Sequence, residues 1–235
     1  MIFRQLVEPL SSTYSYLIAC DETREAALID PVVEAVDRDL ALLGELGLTL
    51  KFTIETHIHA DHVTGAARLR EITGSKAAVP EKSGAAHVDV PVREGEAIAV
   101  GTLTFEPLYV PGHTDDHHAY VLRSSDGTRL FSGDALMIDG CGRTDFQNGD
   151  AATLYRSVHD KFFTLPDDTL VYPGHDYQHR FVSSIGQEKA RNPRLGGGTT
   201  LDEFVAIMNS LNLPRPKKMD VAVPANRACG EVQPA

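Results

Sequence analysis

Three imidazoles and a carboxylate fall within six positions at His57-Ile58-His59-Ala60-Asp61-His62, directly after the apolar run Leu50, Phe52 and Ile54. A strand that ends in such a cluster delivers its side chains to one rim of a sheet, where irregular backbone lets neighbours converge on one point. Imidazole and carboxylate together suit zinc, iron or manganese. No cysteine lies nearby, which argues against a closed structural zinc site. The stretch reads as a metal-binding loop.

The rest of the chain supplies further candidates of the same kind. Met1–Leu6, Thr13–Cys20 and Glu25–Ile29 read as short strands. Asp30-Pro31 then suits the cap and first turn of a helix carrying Val32, Val36, Leu40 and Leu43, ended by Gly47. The strand Leu50–Glu55 leads into the histidine cluster, and Val63, Ala66, Ala67, Leu69 and Ile72 form a second helix stopped at Gly74. Helical spacing then disappears, and short strands follow at Ala77–Val79, Ala97–Val100, Leu103–Val110, Ala119–Leu122 and Arg129–Phe131. Two of them run into Pro111-Gly112-His113-Thr114 and Ser132-Gly133-Asp134. A helix is expected near Ala151–Phe162, and the strand Thr169–Tyr172 ends in Pro173-Gly174-His175-Asp176. Thr200 with Glu203 makes a capping box for a last helix. The tail Asn212–Ala235 shows no clear period. Alternation of strand and helix points to layered α/β.

Composition narrows the partners. A net charge of −11 disfavours nucleic acid or an anionic membrane as the main partner, and no apolar run approaches a membrane span. Hydrophobic content of 42% over 235 residues is ordinary for a globular chain with a sizeable core. Cys20, Cys141 and Cys229 are scattered and odd in number, which suggests reduced thiols in a cytosol-like compartment. The N-terminus shows neither the apolar run of a signal peptide nor an Arg- and Ser-rich leader, so the chain is expected to be cytoplasmic.

Strand-loop-ligand repeated in this order resembles the metallo-β-lactamase superfamily, which implies an αββα sandwich with its metal centre on one edge between two sheets. The expected organisation is a catalytic domain over 1–198, with the helix and tail of 199–235 packed on it. Gly140-Cys141-Gly142-Arg143-Thr144-Asp145-Phe146-Gln147, together with Tyr172-Pro173-Gly174-His175-Asp176-Tyr177 and Asn192-Pro193-Arg194, is similar to the persulfide dioxygenase family of that superfamily. So is the tail, in Leu211–Pro214 and Ala222–Asn226. Asp115-Asp116-His117-His118 departs from the pattern in a region that differs among family branches.

That resemblance implies oxidation of glutathione persulfide by O2 at one non-haem Fe(II) per chain, giving sulfite and glutathione. It assigns the iron to His57, His113 and Asp134. Two imidazoles and a carboxylate suit a facial triad with open positions. His59, Asp61, His62 and His175 would then orient ligands and water, or hold a second metal as in the dinuclear hydrolases of the fold. A glutathione pocket needs a cation and hydrogen-bond partners, for which Arg143 and Tyr177 are the first candidates. Asp145, Asn192, Arg194 and Asn226 are further ones, and Asp176 is expected to be structural. The resemblance also allows a homodimer. The alternative is a dinuclear zinc glutathione-thioester hydrolase resembling hydroxyacylglutathione hydrolase. Against it stand the Gly-Arg-Thr-Asp-Phe loop and the single clear helix after Gly198.

Overall fold

In the computed structural model, which describes residues 1–231, the chain divides into two units. One comprises Met1–Val92, Ile98–Thr104 and the segment from Arg215 onward; the other comprises Arg93–Ala97 and Phe105–Pro214. The last residues of the expected C-terminal segment, 232–235, lie outside the described residues.

The first unit is built on a six-stranded sheet of order β1-β2-β3-β4-β5-β6. β1 (Ile2–Glu8), β2 (Thr13–Ala19) and β3 (Glu25–Ile29) pair antiparallel. β4 (Thr49–Ile54), β5 (Lys76–Pro80) and β6 (Val90–Val92) then add in parallel. Parallel neighbours need crossovers, which α1 (Val36–Glu45) and α2 (Ala66–Thr73) provide between β3, β4 and β5. Val36 and Leu43 of α1 pack with Leu17, Leu28, Leu50 and Leu69 in one cluster. Gly74 ends α2 in the left-handed conformation expected of a glycine cap, with φ at 72°.

Asp30 departs from the expectation that it caps a helix. Its backbone sits in the left-handed region at φ 47°, a 3₁₀ turn over Val33–Ala35 precedes α1, and its carboxylate receives Thr56 instead. The tail also departs from expectation. Residues Met219–Arg227 form a helix, α6, with Pro224 inside it, and its Ala222 and Ala225 cluster with Val63.

A second six-stranded sheet has the order β12-β11-β10-β9-β8-β7. Its strands are β7 (Ile98–Val100), β8 (Leu103–Tyr109), β9 (His118–Ser124), β10 (Gly127–Gly133), β11 (Leu170–Pro173) and β12 (Ser183–Ser184). β8, β9 and β10 are antiparallel, whereas β11 runs parallel to β10 with Phe131 beside Tyr172. That parallel pairing matters for the site, because it brings the C-terminal ends of β10 and β11, at Asp134 and His175, to the same edge.

The helices of the second unit are α3 (Ala151–Ser157), continued by a π turn over Val158–Phe162, α4 (Ile185–Arg191) and α5 (Leu201–Ser210). Leu154, Val158, Phe162, Phe204 and Met208 join Val110, Val121, Leu130 and Val171 in one core. Phe204 is fully buried, worth about 2 to 3 kcal/mol. The Thr200–Glu203 capping box is formed. Among the described residues no helix is long and apolar enough to cross a membrane.

Candidate metal centre

In the first unit, β4 delivers the chain to its histidine loop and Asp30 holds the loop's start. The backbone N–H of Thr56 donates to Asp30 Oδ1 at 2.7 Å and its hydroxyl donates to Oδ2 at 2.8 Å. With that hydroxyl proton committed, His57 Nδ1, 2.9 Å from Thr56 Oγ1, is the donor of their shared bond, and the lone pair is left on Nε2. His62 Nδ1 likewise lies 2.8 Å from Asp61 Oδ2, placing its lone pair on Nε2. The rings are neighbours, with centroids 4.1 Å apart for His57 and His59 and 4.3 Å apart for His59 and His62.

His59 is held differently. Its Nε2 lies 3.1 Å from Asp30 Oδ1 and 3.5 Å from Glu55 Oε2. Burial works against a charge on this ring, but the Asp30 carboxylate, helped by Glu55 and Asp61, outweighs it and lifts the pKa well above that of an ordinary histidine. The loop backbone is clamped from α6. The side-chain amide of Asn226 donates to His59 O at 2.9 Å and His62 O at 2.8 Å, and its oxygen accepts from Thr64 N at 2.8 Å.

In the second unit, His113, Asp134 and His175 come from the ends of three strands. Asp134 Oδ2 lies 3.4 Å from His113 Nε2 and 3.7 Å from His175 Nε2. Gly112 precedes His113 at φ 135°, where a Cβ would stand 2.3 Å from Leu154 backbone, so only glycine fits the turn. His113 Nδ1 is 2.7 Å from Arg143 O and donates to it, which leaves Nε2 facing Asp134. The backbone N–H of Asp134 donates to His117 Nε2 at 3.1 Å. In the sequence His117 stands out only as part of the departing Asp115–His118 stretch, a histidine just before an apolar strand.

The donor chemistry fits a transition metal. Asp134 Oδ1, His59 Nδ1 and His62 Nε2 are buried with no hydrogen-bond partner among the described residues, which buried polar atoms tolerate poorly unless a cation takes the place of a partner. His59, Asp61 and His62 also offer ligand atoms within 4.8 Å of one another.

The expected substrate residues are placed as follows. Arg143 bonds Asp145 with Nε at 2.6 Å and Nη2 at 2.8 Å, donates to the carbonyls of Leu213 and Pro214, and lies over the Phe146 ring. Asn192 and Arg194 donate to Gly140 O and Cys141 O. Tyr177 is 71% exposed and stacks on His175. Asp176 accepts from Arg180 and from two backbone N–H groups. A cavity of about 360 Å³ is lined by Arg143, Asp145, Asp150, Met208, Asn209 and Leu213, among others.

Residues 9–175 match the model of the metallo-β-lactamase superfamily, which defines the class and accounts for the two mixed sheets with their flanking helices. The human protein named persulfide dioxygenase ETHE1, mitochondrial, is 47% identical over 234 residues, covering 100% of this chain and 91% of its own. The crystal structure of ETHE1 from Myxococcus xanthus is 55% identical with a TM-score of 0.94, covering 98% of this chain and 100% of that one. A hydroxyacylglutathione hydrolase from Polaromonas is 42% identical over 168 residues, covering 70% of this chain and 62% of its own. This chain belongs to the persulfide dioxygenase family of the metallo-β-lactamase superfamily.

Proposed function

We propose that this chain oxidises glutathione persulfide with O2 and water to sulfite and glutathione, at one Fe(II) held by His57, His113 and Asp134. Similarity to the human persulfide dioxygenase along the whole chain carries the reading; the hydroxyacylglutathione hydrolase matches over a shorter stretch. The donor set supports iron, because two imidazoles and a carboxylate leave positions for O2 and a soft sulfur. Bound there, iron would supply the redox chemistry, and the protein supplies orientation and electrostatics.

Each residue then has a task at a named atom. Thr56 and Arg143 O hold the Nδ1 protons of His57 and His113, so both rings present Nε2. Such outer partners fix ring orientation and raise ligand basicity. His59, His62 and His175, with Asp61, would order water and the approach of the persulfide. Arg143 would receive a glutathione carboxylate in exchange for Asp145, and Tyr177, exposed beside His175, would cover the peptide. The three buried free cysteines are in keeping with a reducing, cytosol-like compartment.

The deciding experiment is O2 uptake by Fe(II)-loaded protein on addition of glutathione persulfide, with metal content determined on the same sample. Sulfite formed in step with O2 consumed, about one iron per chain and loss of both in Asp134→Ala are expected. No uptake, with a pair of zinc ions bound and rapid cleavage of a glutathione thioester, would overturn the reading in favour of the hydrolase.

A further inference from the structure

Residues 138–143 form a strap tied by backbone groups of Asp139, Gly140, Cys141, Gly142 and Arg143 to one of two sides. On one side stand α4 and the turn after it. Glu188, fully buried, accepts the backbone N–H of Asp139 at 3.0 Å and the Asn192 side-chain amide at 2.8 Å. The same Asn192 amide donates to Gly140 O at 3.0 Å, and Arg194 Nη1 donates to Cys141 O at 2.9 Å. On the other side stand the ligand candidates of the second unit. Gly142 N donates to Asp134 O at 2.7 Å, and Arg143 O accepts from His113 Nδ1 at 2.7 Å. A Cβ on Gly142 would lie 2.6 Å from both Asp134 O and His113 Nδ1, so the strap has no slack against these two residues.

We infer that Glu188, Asn192 and Arg194 are positioning residues for the metal, setting His113 and Asp134 through the strap rather than by touching substrate. Asn192 is itself fixed for this task, since its side-chain oxygen accepts the N–H groups of Arg194 and Leu195, each at 3.0 Å. The amide is therefore oriented with its nitrogen toward the strap. A strap that shifts by a few tenths of an ångström turns the His113 ring and moves the Asp134 backbone together. Outer partners of metal ligands commonly set affinity by tenfold or more. The inference rests on the reading of His113 and Asp134 as iron ligands.

The test uses the full chain and Fe(II) alone, with affinity measured by competition against a chelator. The electron paramagnetic resonance spectrum of the nitric oxide adduct and the melting temperature of the metal-free protein are recorded for each variant. Arg194→Met removes one donor from a half-buried position. It is expected to weaken Fe(II) binding about tenfold and to change the spectrum, with the metal-free melting temperature close to that of the parent. Arg194→Lys, which keeps a donor, should recover most of the affinity. Arg194→Gln, too short to reach Cys141 O, serves the same test should the methionine variant not fold. His113→Ala is the reference. Unchanged affinity in His113→Ala would overturn the ligand reading and the inference with it. Lost affinity in His113→Ala, with parental affinity and spectrum in Arg194→Met, would overturn the inference alone. So would weakening that merely follows a lower melting temperature without a spectral change.

Discussion

Asp145 holds Arg143 with both carboxylate oxygens, at 2.6 Å to Nε and 2.8 Å to Nη2. Hydrogen bonds from Arg143 lower the Asp145 pKa below the ordinary range, more than its partial burial raises it. On the proposed reading, a glutathione carboxylate would meet at this guanidinium a charge already in place. Arg143→Ala is therefore expected to raise KM for glutathione persulfide about tenfold, the worth of a charge-assisted bond. Asp145→Asn, which removes the competing charge and keeps the shape, should lower KM. Steady-state kinetics on the two variants check the pair, and a KM that moves in neither would remove Arg143 from the pocket.

Asp176 sets a pH window for stability. Burial opposes its charge, but hydrogen bonds from the Arg180 side chain and from the backbone of Arg180 and Gln178 outweigh it and hold the pKa below the ordinary value. A carboxyl depressed in the folded state contributes stability that is complete above its unfolded pKa of about 3.9 and is lost as pH falls through the folded value. Asp176→Asn should thus cost about 2 kcal/mol at pH 7. The difference from the parent should shrink toward acid in urea titrations between pH 7 and pH 3.

Gly174 is expected to matter for metal rather than for folding. A Cβ there would stand 2.5 Å from Asp134 Oδ1, inside van der Waals contact, so the carboxylate must turn away. Gly174→Ala should reduce iron content and O2 uptake together while the far-ultraviolet circular dichroism stays parental. Full iron occupancy in this variant would show that Asp134 has room to adjust.

Asn226 ties three backbone groups of the histidine loop, and it is 3% exposed. Asn226→Ala leaves these groups buried without their partner. The expected cost is about 3 kcal/mol, read from equilibrium denaturation of the metal-free protein.

Much of this molecule was legible in the residues because its ligands sit where apolar strands stop. Leu50–Ile54, Leu103–Tyr109, Leu130–Phe131 and Val171–Tyr172 announce themselves by apolar or β-branched content, and the His or Asp that follows each a few positions on is conspicuous. The Thr200–Glu203 capping box is local chemistry and was read directly. What escaped depends on tertiary partners. Asp30 looks like a helix cap until Thr56 claims its carboxylate. Asn192, Arg194 and Asn226 read in the sequence as candidate glutathione contacts, and nothing local reveals the backbone tens of residues away that they bond. α6 carries a proline and small alanines, and its helical form follows from packing on Val63 rather than from propensity.

The clamp from α6 onto the histidine loop has a consequence for how the protein is made. His62 is synthesised 164 residues ahead of Asn226. Over that interval the nascent chain carries a run of metal donors whose loop lacks its Asn226 clamp, open to whichever divalent ion is most abundant. Selective loading therefore belongs after α6 has been made and has docked on the loop. A premature stop between Pro214 and Asn226 would yield a product with every donor present and the loop without its Asn226 clamp.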